Sequence, residues 1–348
     1  MNNEIRYLQY DPNYRNSLLQ LFKEMFGFAD LKQAEQKFVW RYEDNYCLQA
    51  HNVYIAVIGD KVVGFRGFAA QRFLFADKPR VVLTPSDAVV HPDFRRQGIF
   101  NKLTEYAMQV LSEKYDELDL SVYLNLSSNK KSAPGNLKLG WQVFAEKEWM
   151  TRICLLAIIK NLFSRNAGVK KLESKGKSRF KLSVSDSIDA AVIRSIDHFI
   201  SYQIIREQSD EYYKWRYADA KRISFVALYD EGRPAAYAII EQHSGIKYSI
   251  MEYAAETIPA LKMLIKKAIR YHNIGVLRVL MMGGAPSERK AFRKLGFVAD
   301  SKLISRIRNK EKTPVLIKGV LQDDEGSTIN GIDWQNPEAW RIQKSDVH

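Results

Sequence analysis

Arg95, Arg96, Gln97 and Gly98 stand together in "HPDFRRQGIFNKL", between a run dense in β-branched residues and an amphipathic stretch. Upstream, "RVVLTPSDAVV" has the composition of a buried strand. Downstream, Ile99, Phe100, Leu103, Tyr106, Ala107, Val110 and Leu111 recur at spacings of three and four, which draws an apolar face on a helix. The stretch therefore predicts strand, turn, helix. Glycine at such a turn lets the backbone approach a ligand closely, and the first N–H groups of the helix have no partner inside it. An anion fits there.

The elements that position this turn occur in two echoing halves. "FVWRYEDN" at 38–45 and "YKWRYADA" at 213–220 share Trp-Arg-Tyr, and each leads into a strand, a polar turn and a second strand. "KLGW" at 138–141 and "KLGF" at 294–297 each close a helical stretch with glycine and resume an apolar strand. Shared order with two matched strings predicts duplication. Where the first half has its arginine–glycine turn, the second runs through "MEYAAETIPAL" and offers no equivalent cradle.

At 348 residues the chain suits two domains. Its net charge of +13 raises the question of nucleic acid, but the excess is localised. Between Lys160 and Lys181, eight Lys or Arg stand against the lone Glu173, in a segment rich in Gly, Ser and Asn. That composition predicts a solvated linker, and with Phe163 and Phe180 as its aromatic residues it disfavours a nucleic-acid arm. No apolar run is long enough to span a membrane, and the start "MNNEIRYLQYDPNYRN" lacks a signal-peptide core, so a cytoplasmic protein is expected. Cys47 and Cys154 are too few for a disulfide framework, and the histidines show no ligand spacing; no metal is expected.

"RRQGIF" resembles the acyl-coenzyme A loop of the Gcn5-related N-acetyltransferase (GNAT) superfamily: Arg or Gln, two residues, Gly, one residue, then Gly or Ala. Arg95 and Gly98 fit, while Phe100 places a ring where the family has a small residue. The family's Asn after the fifth strand, followed by a helix ending in Gly and an aromatic, is matched by Asn129, Gly140 and Trp141. The resemblance spans Val53 to Phe144 and, more faintly, the second half. It implies an α/β fold with a mixed sheet splayed between its fourth and fifth strands, and two GNAT-like domains in tandem. Residues 1–155 would be the catalytic domain, 156–182 a basic linker, 183–310 an altered second copy and 311–348 a docked tail. Acetyl-coenzyme A is the implied cosubstrate. Val89 and Val90 would pair with its pantetheine arm, Arg95, Arg96, Gln97, Gly98, Ile99 and Phe100 would surround the pyrophosphate, and Asn129 and Ser132 would meet the pantetheine end.

Amine acetylation needs an oxyanion stabiliser and a route for protons. Asp87 lies two residues before Val89 and on its face, where the family often carries a carboxylate near the acceptor amine. It would relay a proton or hold an ammonium group; capping a bulge in the strand is the alternative. Many relatives carry an acidic tyrosine seven residues after the Asn, but Asn136 stands there, and Pro134 with Gly135 predicts a broken helix. Tyr123 on the fifth strand is the alternative donor. Trp334 and Trp340 predict that the tail docks, either over the acceptor cleft between the halves or for stability alone. The expected activity is direct acetyl transfer to a primary amine of a small molecule such as an amino sugar, an aminoglycoside or a polyamine. Aminoacyl-tRNA-dependent peptidyl transfer of the tandem cell-wall type, and a non-catalytic acyl-coenzyme A-binding protein, are the alternatives. Calorimetry is expected to find one acetyl-coenzyme A site per chain, and Gly98→Glu to abolish it; two equivalent sites, or normal affinity in the variant, would move the loop elsewhere.

Overall fold

The computed structural model describes residues 4–48, 52–129, 132–163, 179–218, 220–284, 286–300, 313–320 and 328–347. The first half runs β1 (Arg6–Gln9), α1 (Arg15–Phe26), α2 (Leu31–Phe38), β2 (Val53–Ile58), β3 (Lys61–Phe75), β4 (Lys78–Val90), α3 (Ile99–Glu113), β5 (Leu120–Asn125), α4 (Ala133–Lys138) and β6 (Gln142–Ile153). The chain continues through α5 (Leu155–Phe163), β7 (Phe180–Ser185), α6 (Ala190–Arg194), β8 (Ile204–Arg206) and α7 (Asp210–Arg216). A second meander of β9 (Ile223–Asp230), β10 (Arg233–Ser244) and β11 (Lys247–Ala255) leads to α8 (Ile258–Tyr271), β12 (Val276–Met282) and α9 (Pro286–Lys294). The short strand β13 (Val298–Ala299) is followed by β14 (Thr313–Gly319), the hairpin β15 (Thr328–Ile329) and β16 (Ile332–Asp333), and β17 (Trp340–Arg341).

The predicted strand, turn and helix are β4, the 91–98 turn and α3. Ile99, Leu103, Ala107 and Leu111, one per turn, are the buried apolar face of α3, and each large side chain so buried contributes about 1.5–3 kcal/mol. β4 pairs with β3 along almost its whole length, from Phe75–Lys78 to Gly64–Val90. Its parallel ladder with β5 covers Val81 to Leu83 and stops at the Leu83–Tyr123 pair. Beyond that pair the far edge of β4, Thr84 to Val90, faces no strand of the described residues.

The second half repeats this plan. β11 and β12 pair in parallel up to Ile250–Val279, and α8 packs Leu261, Leu264, Ile265 and Ala268 into the second core. The two halves are not separate sheets, because fifteen strands of the described residues hydrogen-bond into one. The join is β6, whose first part pairs with β14 and whose second part pairs with β12. β14 itself lies between β5 and β6, inside the first half.

Four expectations change here. The ends of the expected 156–182 linker are ordered, as α5 and the start of β7, because "LLAIIKNLF" is apolar enough to fold as a helix; residues 164–178 lie outside the described residues. Pro134 does not break the helix after β5 but opens it, at a first-turn position where its missing N–H costs nothing. Residues 313–319 of the expected docked tail are a strand inside the first sheet, and β8, from the second half, pairs with β3. Trp334 and Trp340 are core residues: Trp340 is fully buried against Phe73, Phe75 and Phe144, and its indole donates to the Trp334 carbonyl at 2.8 Å. No helix of the described residues is long and apolar enough to cross a membrane.

The repeated Trp-Arg-Tyr strings meet face to face. The rings of Trp40 and Trp215 stack with centroids 5.2 Å apart and planes 11° from parallel. The indole of Trp40 donates to the Trp215 carbonyl at 2.8 Å, and that of Trp215 donates to the Trp40 carbonyl at 2.6 Å. Such reciprocity is what two copies of one motif form across a local twofold axis. Trp40→Ala and Trp215→Ala are each expected to cost about 3–5 kcal/mol. In denaturant unfolding the double variant should fall well short of their sum, and strict additivity would show that the stack carries no coupling.

Candidate active site

A bulge and a glycine place the central carboxylate. Arg66 faces Ala88 and Phe68 faces Pro85, so Ser86 and Asp87 share the place opposite Gly67 and β4 bulges outward. A Cβ on Gly67 would collide with the Tyr42 phenol, and its absence lets Tyr42 reach through to the strand. Tyr42 donates to Asp87 Oδ2 at 2.8 Å, and Arg41 Nη1 meets the same oxygen at 2.6 Å. Both come from a π-helical turn, Val39–Glu43, that continues α2 and is the kind of local distortion found at functional sites.

The surroundings are unusually cationic. Burial alone would lower the Arg41 guanidinium, but Asp87 and Tyr42 outweigh it and hold the group above its ordinary value. Burial, then the Asp87 charge, pushes the Tyr42 phenol well up. Arg66, next to the bulge, is 4% exposed and lies 5.0 Å from the ring centre of Phe68 and 5.5 Å from that of Phe100. Its Nε and Nη2 have no hydrogen-bond partner among the described residues, and burial pulls its guanidinium down to about 10. Lys37, one turn before Arg41, is pulled down to about 7 by burial and by the neighbouring Arg41 charge. Sequence reasoning missed Lys37, Arg41 and Arg66. The Trp-Arg-Tyr repeat contained Arg41 but gave no hint that it faces Asp87.

The 91–98 turn is open and carries two left-handed residues. Arg96 and Gly98 both take left-handed conformations, with φ of 64° and 76°. A Cβ on Gly98 would meet no protein atom within 4 Å, so the space above the turn is open. Gly98 is also the N-cap of α3 and brings no side chain to satisfy the first-turn N–H groups. Arg95 turns back to donate from Nε to the Val90 carbonyl at 3.2 Å; Arg95, Arg96 and Gln97 are exposed. Val89 and Val90 lie on the open edge of β4, and the Ser127 hydroxyl stitches the mouth of the opening by donating to the Pro85 carbonyl at 2.9 Å. Ile99 is buried, and Phe100 rests its ring over Gly135 of α4 instead of closing the turn.

Other expected site residues are occupied locally. Asn129 Oδ1 accepts from the Ser132 N–H at 3.2 Å while Ser132 Oγ accepts from the Asn129 N–H at 3.1 Å, so the two residues cap each other at the start of α4. Tyr123 is fully buried between Phe68 and Trp141, with its hydroxyl unpartnered, and burial pushes that phenol up. Its surroundings are those of a packing residue. Asn136 is buried at 1% exposure.

The second half carries a counterpart that is filled. Glu252 stands three residues from the end of β11, as Asp87 does in β4. It is fully buried and receives Arg206 at 2.7 Å, Tyr213 at 2.6 Å, Tyr237 at 2.9 Å and Ser345 at 3.2 Å. On the adjoining residue, Gln343 accepts from the Tyr253 N–H at 2.7 Å and donates to the Tyr253 carbonyl at 3.1 Å, so the chain's own C-terminal segment occupies this strand edge. Gly67→Ala is expected to cost about 1–3 kcal/mol, as overpacking does, by displacing Tyr42 from Asp87. Unchanged denaturant unfolding would show that the close approach is not needed.

Residues 4–122 match the family model described as an acetyltransferase (GNAT) domain. Solved structures with the same fold include a probable N-acyltransferase from Enterococcus faecalis, 11% identical with a TM-score of 0.63, covering 91% of this chain and 73% of that one. A GCN5-related N-acetyltransferase from Anabaena variabilis is likewise 11% identical, with a TM-score of 0.61 over 91% of this chain and 73% of its own. A tandem GNAT protein from the clavulanic acid biosynthesis pathway is 12% identical, with a TM-score of 0.53, covering 92% of this chain and all of that one. Among curated proteins none matches.

Proposed function

We propose that this chain transfers an acetyl group from acetyl-coenzyme A to the primary amine of a small molecule, by direct attack in a ternary complex; the match of residues 4–122 to the acetyltransferase (GNAT) family model supports this reading. The observation that carries the reading is the open edge of β4, which runs from the Asp87 bulge to the uncapped start of α3. Acetyl-coenzyme A would supply a thioester carbonyl activated for attack. The backbone of Val89 and Val90 is suited to pair with the pantetheine amides as an added strand. The N–H groups of the turn and the first turn of α3 would receive the pyrophosphate, with Arg95 and Arg96 beside them. Asn129 and Ser132, bonded to each other, would form the wall of that channel.

Asp87 is the acceptor-side group. Arg41 and Tyr42 share its Oδ2, which fixes the carboxylate and leaves Oδ1 to hold the acceptor's ammonium group or a water that takes its proton. The leaving thiol ordinarily ionises near 8.5, so it departs with modest help and needs no dedicated acid. A covalent cysteine intermediate is disfavoured, because burial pushes the Cys47 thiol up to about 12 and keeps it protonated.

A panel of amines incubated with acetyl-coenzyme A tests this. Amine-dependent release of coenzyme A, with the acetylated product seen by mass, is expected. Asp87→Asn should lower kcat about a hundredfold and spare acetyl-coenzyme A affinity. Because it also leaves Arg41 without its carboxylate, a loss of stability of about 3–5 kcal/mol should accompany it. Tight acetyl-coenzyme A binding with no amine acetylated would overturn the transferase reading in favour of a binding protein.

A further inference from the structure

A cavity of about 370 Å³ lies against the tryptophan stack, lined by Phe28, Gln33, Gln36, Lys37, Trp40, Arg216 and Ala220. Its two charged lining groups are both cations. Lys37 Nζ sits 4.1 Å from the Trp40 ring centre, and Arg216 lies 5.8 Å from the same ring. Neither has a carboxylate partner among the described residues: Arg216 spends its hydrogen bonds on the carbonyls of Ser345 and Val347. The acids closest to hand are already taken. Glu35 and Glu43 are both held by Arg15, and Asp87 is held by Arg41. Lys37, Arg41 and Arg66 all act electrostatically on or around Asp87, so one carboxylate faces several cations. Partly buried like charges without counter-ions are costly, and an anionic ligand relieves that cost.

We infer that this cavity is the acceptor's anion pocket: Lys37 and Arg216 hold a carboxylate on the amine substrate, some bonds away from the reacting nitrogen. The inference rests on the transferase reading and narrows its acceptor to a small amino acid. The cavity lies near Asp87: the Asp87 charge acts on Lys37, which stands one helical turn before Arg41, and Arg41 grips Asp87. An acceptor lying along this turn presents its carboxylate to Lys37 and its amine to Asp87. The volume suits a small molecule and not a macromolecular chain. Aminoglycosides and polyamines, which would bring further positive charge into this cavity, are disfavoured by the same balance.

The test compares glycine, β-alanine, γ-aminobutyrate and δ-aminovalerate with alkylamines of matching length, and with cadaverine as a dication. For at least one length, kcat/KM for the amino acid should exceed that for the plain amine by about tenfold or more, the scale of one hydrogen bond between charged groups. Lys37→Gln should erase most of this preference, and Lys37→Glu should turn it toward cadaverine. Lys37 is protonated below about 7 and neutral above, facing Arg41, Arg216 and Asp87, so the preference should shrink as pH rises through that value. Lys37→Arg, which stays charged, should flatten the pH dependence. Cadaverine or the alkylamines outperforming the amino acids in wild type would overturn the inference while leaving amine acetylation standing. So would a loss in Lys37→Gln shared equally by both series, or a Lys37→Glu defect confined to acetyl-coenzyme A affinity. If no amine turns over, calorimetry with δ-aminovalerate decides: binding by wild type that Lys37→Glu loses keeps the anion pocket and removes the transferase reading, and equal binding by both removes the pocket.

Discussion

The stack of Trp40 on Trp215 is the contact from which the rest of the site hangs. It closes the two halves against each other with a pair of reciprocal hydrogen bonds. The residues that follow Trp40 are Arg41 and Tyr42, which hold Asp87, and one turn earlier stands Lys37. A stacked aromatic pair gives a rigid and directional join, because ring overlap and two hydrogen bonds fix rotation as well as distance. The same join that unites the halves therefore aims the charged side chains at β4.

The two halves treat one carboxylate position in opposite ways. In the second, Glu252 is enclosed by Arg206, two tyrosines and Ser345, and the adjoining strand edge is taken by Gln343. Every acceptor site there is spent within the protein. In the first, Asp87 keeps an oxygen to spare beside an edge that no strand of the described residues covers. Of two similar strand ends, one is filled by the chain itself and the other is left open among the described residues.

Local periodicity made much of this legible in the sequence. The β-branched run, the glycine turn and the spacing of Ile99, Leu103, Ala107 and Leu111 encode β4, the turn and α3 within some thirty-five residues, and the Trp-Arg-Tyr echo encodes the duplication. What stayed hidden is what depends on distant pairing. Asp87 reads as a free base until Arg41 and Tyr42, more than forty residues upstream, are seen to meet it. Pro134 reads as a helix breaker unless its place in the first turn is known. Trp334 and Trp340 read equally as cleft or packing residues, since burial in a core shared by both halves leaves no periodic mark in so short a segment.

The position of β14 carries a consequence for biosynthesis. β5 and β6 of the first half are separated by a strand drawn from residues 313–319, far along the chain from both. A ribosome that adds about 5–20 residues per second therefore releases the N-terminal half on the order of ten seconds before the strand that completes it. During that interval β5 and β6 expose unpaired backbone edges of the kind that recruit other chains. The half made first is the last to be finished, and its two open edges wait for residues 313–319 to be made.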